Sequence, residues 1–204
     1  MTTRMIMTVV AAAAALTVGA ALGGCGTNDT APSGNPTGSQ SVNRTHNQAD
    51  ITFTQSMIPH HAQAIAMAKT ATQRANAPQV KDLAARIQAA QQPEIDQMSR
   101  WLRAWNAPVP STDSPMSMGH MEHGANGAMP GMMPSDQMHQ LGQASGEAFD
   151  RMFLQMMIGH HQGAITMAKK ELSEGQNPDT RQLAQRIIDA QQQEITEMQT
   201  LLSK

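Results

Sequence analysis

The chain has 204 residues, a formal net charge of −2 and a single cysteine, with no tyrosine, three phenylalanines, two tryptophans and eighteen methionines. A near-neutral chain without a basic run excludes an electrostatic nucleic-acid binder, and one cysteine excludes an internal disulfide. A core so poor in aromatics has to be assembled from Ala, Leu, Ile and Met, which suits closely packed helices.

The first element is an export signal. Arg4 gives a short basic start, Val9 to Ala21 is an apolar run, and Leu22-Gly23-Gly24-Cys25 closes it with small residues. The apolar stretch is too short for a membrane span and has the flanks of a cleaved leader. The placement of Cys25 resembles a bacterial lipoprotein box, with residues 1–24 removed and lipid attached to Cys25 (an ordinary leader with an incidental Cys is the alternative). Residues 25–47 are then a polar, Gly/Ser/Thr/Asn/Pro-rich tether that cannot bury enough surface to order itself. About 157 residues follow, enough for one domain with a core.

The rest contains one segment twice. Residues 50–104 align with 150–204 without a gap, giving 24 identities in 55 positions. Each copy carries apolar residues at helical spacing, Phe53, Met57, Ala64 and Met67 matching Phe153, Met157, Ala164 and Met167. Asn76 and Gly175 mark helix stops, and Pro78 and Pro178 stand at favoured first helical positions, with Asn177 as a cap. A second helix follows in each copy. The spacing predicts two helical hairpins, residues 48–106 and 136–204, neither stable alone, docked as an all-α four-helix bundle about a pseudo-twofold axis. The third helix is expected at about 136–174 and the fourth at about 178–203.

The repeated identities include chemistry. His60-His61 and His160-His161 fall on the shoulders of the apolar stripe, and Met57 lies one turn from His61, as Met157 does from His161. Met67 and Met167 share the face of His60 and His160. Thioether with imidazole is a copper environment, because soft sulfur selects Cu(I), whereas zinc prefers thiolate. The histidines could instead make structural hydrogen bonds only. A helix breaker, Pro59 or Gly159, precedes each pair and suggests a local opening that orients the imidazoles. Glu94 and Glu194 lie in the apolar stripe of the second helices and need partners. A His pair, Arg86 or Arg186, or a metal would serve, which makes the glutamates candidate supporting residues for the site.

Between the copies, residues 107–135 form a Pro/Gly/Ser/Met-rich loop. Met116, Met118, His120, Met121, His123, Met129, Met132, Met133, Met138 and His139 put seven Met and three His into 24 residues. No helix or strand pattern requires them. Such a cluster outside the reducing cytoplasm is a copper-binding composition, with compositional drift or sacrificial oxidation as the alternatives.

Asp50 to His61, Asp-x-x-Phe-x-x-x-Met-Ile-Pro-His-His, followed by Ala64-Ile65-x-Met67-Ala68, resembles the DUF305 family of exported bacterial proteins. Asp150 to Ala168 matches as well, apart from Gly159. The resemblance implies a ferritin-like helical bundle, an association with extracytoplasmic copper binding and resistance, and a ligand role for His60, His61, His160, His161, Met57 and Met157. The combined expectation is a membrane-anchored protein that sequesters or transfers copper, Cu(I) in preference to Cu(II), without turning over a substrate. Its partners would be the membrane, through lipid on Cys25, the metal ion, and a copper transporter or oxidase, with no nucleic acid. A ferritin-like metal-dependent oxidase is the enzymatic alternative, but the Glu-x-x-His signature is missing, since Gln97 follows Glu94 and Glu197 follows Glu194. A non-metal helical interaction module would leave the Met-rich loop unexplained.

Overall fold

The computed structural model describes residues 45–112 and 129–204, and the regular elements among them are all helices. The leader, Cys25, most of the tether, and Met116, Met118, His120, Met121 and His123 lie outside the described residues. Helix α1 spans Gln48–Arg74 and α2 spans Pro78–Ala104. A short α3, Ser135–Gln143, precedes α4, Gly146–Glu174, and α5, Pro178–Leu202.

The start signals act as their residue types dictate. The Asn47 side chain accepts from the Asp50 N–H, and the Asp50 carboxylate accepts from the Asn47 N–H, a reciprocal cap that satisfies two helix-terminal donors. Pro78 and Pro178 open α2 and α5, where a missing N–H costs nothing. Asn177 caps α5 by accepting from the N–H groups of Asp179 and Thr180.

Two expectations need correction. The predicted helix at 136–174 is broken at Ala144 and Ser145, which are extended. Gly146 then starts α4 with φ of 59°, and a backbone bridge ties it to Ala75 at the α1–α2 turn. Docking onto that turn outweighs continuous helix. The expected opening before the histidines is also absent, because α1 runs unbroken through Pro59 and α4 through Gly159. In α1, burial on every side holds the helix together despite the lost hydrogen bond of proline.

α1 packs on α2 and on α4, and α4 packs on α5. The apolar side chains form two clusters. One joins Met67 and Ala71 of α1 with Leu83 and Ile87 of α2, Phe149, Phe153 and Met157 of α4, and Met198 of α5. The other joins Phe53, Met57 and Ile58 of α1 with Ile95, Met98 and Leu102 of α2, Ala164 and Ala168 of α4, and Leu183 of α5. The C-terminal half of α1 thus shares a cluster with the N-terminal half of α4, so these helices run antiparallel. Each large side chain buried there stabilises the fold by about 1.5–3 kcal/mol. Along α1 and α4, the four histidines stand between the two clusters.

Two aspartates tie the hairpins together. Asp150, at the start of α4, accepts from the N–H groups of Asn76 and Ala77 in the α1–α2 turn, both at 2.8 Å. Asp50, at the start of α1, accepts from Gln176 and Asn177 in the α4–α5 turn, at 3.1 and 2.9 Å. Each carboxylate satisfies donors that its partner hairpin cannot satisfy alone.

Candidate metal centre

His60 and His160 meet across the α1–α4 interface. Their ring centroids are 3.7 Å apart and the planes are tilted by 39°. Both are buried, as are His61 and His161. The outer histidines are matched: His61 Nε2 lies 2.7 Å from a Glu94 oxygen, and His161 Nε2 lies 2.6 Å from a Glu194 oxygen. With the proton on Nε2, each imidazole donates to its carboxylate, which reaches partly into solvent. The glutamates therefore choose the histidines over the arginines, and Arg86 pairs instead with Glu197 on the outer surface.

Burial governs the inner pair. It pushes His60 down to about 3, with further help from His61 and His161, while the Pro130 carbonyl at 3.1 Å works the other way. His160 is likewise held well below the ordinary range, by burial first and then by His60, His161 and His61. Both rings are neutral near pH 7, the form in which imidazole binds metal. The Nδ1 atoms of all four histidines, and Nε2 of His160 as well, are buried without a hydrogen-bond partner. An unsatisfied buried polar atom costs about 1–3 kcal/mol, so His160 carries two costly unsatisfied nitrogens inside the bundle. This donor set fits a metal that accepts imidazole nitrogen. Among the described residues, however, no three or more His, Cys, Asp or Glu side chains converge into a ligand group. Further donors would have to be thioether, carbonyl or linker residues.

The predicted methionines separate. Met57, Met67 and Met157 are fully buried within the apolar clusters. Met167 is half-buried and, with Met129, Phe53 and Glu171, lines a groove of about 510 Å³ between α1 and α4. Met129, Met132 and Met133 belong to the end of the linker, which lies on the histidine layer. There the Pro130 carbonyl accepts from His60 Nε2, and Gln63 of α1 forms two hydrogen bonds with the main chain of Met133.

Gln63, Pro130, Gly163 and the two interlocking aspartates carry structure that sequence spacing did not assign. One signal was available, because positions 63 and 163 differ, Gln against Gly, inside an otherwise closely matched motif. Another unassigned residue is Glu171. It is buried with one oxygen unpaired, and it packs against Thr180 and Asp50, whereas the matched position holds Ala71.

The profile of the DUF305 family, a domain of unknown function, matches residues 50–202. A solved DUF305 protein from Streptomyces coelicolor is 32% identical with a TM-score of 0.66, the match covering 76% of this chain and 92% of that one. A DUF305 fragment from Deinococcus radiodurans is 32% identical with a TM-score of 0.66, over 77% of this chain and 97% of that one. CopM in its Cu(II)-bound form is 35% identical with a TM-score of 0.63, over 76% of this chain and 95% of that one. CopM has also been solved with Cu(I), where the identity is 33% and the TM-score 0.60. An uncharacterised protein of Acanthamoeba polyphaga mimivirus is 44% identical over 55 residues, a match covering 27% of this chain and only 36% of the viral protein.

Proposed function

The chain belongs to the DUF305 family, and on that premise we propose that it binds copper outside the cytoplasm and sequesters it or hands it on. The observation that carries the reading is the His60/His160 pair. It comprises two neutral imidazoles in close, tilted contact in a buried layer, one of them with both ring nitrogens unpartnered. CopM, a relative of the same helical architecture solved in copper-bound forms, supports copper as the metal.

In this reading, His60 and His160 supply nitrogen donors. The Met/His stretch from Met116 to Met133 supplies thioether and imidazole that capture Cu(I) and deliver it to the bundle. Glu94 and Glu194 hold His61 and His161 in a fixed tautomer, as partners of metal-binding imidazoles commonly do. Lipid on Cys25 and the tether beyond it keep the protein at the outer face of a membrane, where a transporter or oxidase can receive the ion.

A Cu(I) titration against a competing chelator tests the proposal on three proteins: the chain from residue 26 onward, the same chain lacking residues 113–128, and one with all four histidines replaced by Ala. Tight binding that falls with the histidine changes and loses capacity with the deletion is expected. Micromolar or weaker binding by the intact protein would overturn the reading.

A further inference from the structure

We infer that residues 129–134 form a strap over the His60/His160 pair and set the rate at which a metal ion enters and leaves it, an inference that rests on the copper reading above. The strap is held from both helices that carry the pair. On α1, Gln63 is buried, and its amide donates to the Met133 carbonyl at 2.9 Å and accepts from the Met133 N–H at 2.8 Å. One side chain thus clasps the backbone as a neighbouring strand would. His60 Nε2 donates to the Pro130 carbonyl at 3.1 Å, which adds a third polar tie.

On α4 the contact is backbone against backbone. Gly131 has φ of 77°, a conformation that side chains rarely tolerate, and a Cβ there would lie 2.8 Å from the carbonyl oxygens of Gly159 and His160. A Cβ on Gly163 would lie only 2.0 Å from the Pro130 carbonyl oxygen. The strap therefore sits directly on the turn of α4 that begins at His160.

This seat accounts for one asymmetry in the repeated motif. Positions 63 and 163 are matched, yet one carries a long amide and the other no side chain. A clasp is needed on α1 and a gap on α4, because one strap serves both helices. The same seat explains the gating. The Pro130 carbonyl fixes the His60 proton on Nε2 and leaves Nδ1 as the lone-pair nitrogen, so the strap acts by covering the pair and not by blocking a ligand atom. Moving it breaks the two clasp bonds and the His60–Pro130 bond, draws Met133 away from the apolar cluster it borders, and exposes the pair. The strap also follows the Met/His-rich stretch directly in sequence, so the segment that captures an ion is joined to the gate by the chain itself.

Three variants separate this role from ordinary stability. Gln63→Ala removes the clasp and Gly163→Ala wedges the strap off its seat. Gly159→Ala is the control beside His160, since its Cβ would make only an ordinary 4.0 Å contact with the Met133 methyl. Stopped-flow transfer of Cu(I) to a chelator should run about tenfold faster in the first two variants, the scale of losing a pair of hydrogen bonds, and be unchanged in the control. Unchanged release in both Gln63→Ala and Gly163→Ala would overturn the gate. Carbethoxylation of apo-protein imidazoles reads the strap without copper. His60 and His160 should react slowly in the wild type and the control but faster in the two unseated variants. Equal reactivity throughout would overturn the strap itself, whereas faster modification with no copper bound at the histidines would instead sink the copper reading.

Discussion

The His160 ring lies 3.7 Å from the His60 ring between centroids, tilted by 39°, yet neither of its own nitrogens is hydrogen-bonded. A structural histidine would be satisfied, so this pair sacrifices stability in the metal-free protein. His160→Leu, which removes both orphaned nitrogens at similar volume, is expected to raise the unfolding free energy of apo protein by about 1–2 kcal/mol. It should also lower copper affinity. Urea unfolding and chelator competition measure the two effects, and a variant that is both less stable and unimpaired in binding would contradict this account.

The interlocking aspartates bear on folding alone. Asp150→Ala strands the Asn76 and Ala77 N–H groups and should cost about 2–4 kcal/mol. Asp50→Ala should cost at least as much, because it also strands the N–H groups of Asn47, Gln176 and Asn177. Copper stoichiometry of the folded fraction should not change. Denaturant midpoints with paired metal titrations would show whether the two properties separate.

Glu171 predicts a pH dependence confined to one end of the bundle. The Thr180 hydroxyl oxygen lies within 3.0 Å of oxygens from Asp50, Glu171 and Asn177 but carries one proton for three acceptors, so a protonated Glu171 supplies a missing donor. Burial pushes Glu171 up from 4.5 to about 7. The Thr180 hydroxyl opposes the rise and neighbouring Asp50 adds to it. Between those values the folded chain keeps a proton that the unfolded chain releases. The contribution is therefore complete below 4.5 and is lost as pH rises through about 7. Glu171→Gln keeps the shape without titrating and should gain about 1–3 kcal/mol on the wild type across that window. His60 has the opposite sign: unfolded imidazole protonates below 6.5, so its contribution is lost as pH falls toward about 3. Subtracting the variant profile from the wild-type profile isolates Glu171, and parallel profiles would refute its shared proton.

Cys25 predicts location. Cys25→Ser should move the protein from the membrane fraction to the soluble one and abolish incorporation of labelled fatty acid. Retention in the membrane without the thiol would exclude lipid anchoring through this residue.

Helix positions, turn prolines and the Asn177 cap were legible in the sequence, because they depend on neighbours within a few residues. The break at Ala144–Ser145 was not, since a contact between Gly146 and Ala75 produces it. Asp50 stood in the recognised motif, but its partners lie 126 and 127 residues away and no local period encodes them. The histidines read as lying on the shoulders of the apolar stripe, and all four are buried, while the close approach of His60 to His160 follows from antiparallel packing of α1 on α4. Met57, Met67 and Met157 were expected as ligands on the same spacing that marks the apolar stripe, and the structure seats them among apolar side chains. The Gln63/Gly163 mismatch was visible, but it acquires meaning only when the strap is seen lying across it.

The most direct test is X-ray absorption at the copper edge on Cu(I)-loaded wild type and on the His60→Ala/His160→Ala double variant. The account predicts imidazole nitrogen together with sulfur scatterers in the wild type, with the imidazole contribution reduced in the variant while sulfur remains. Identical spectra from the two proteins would contradict it.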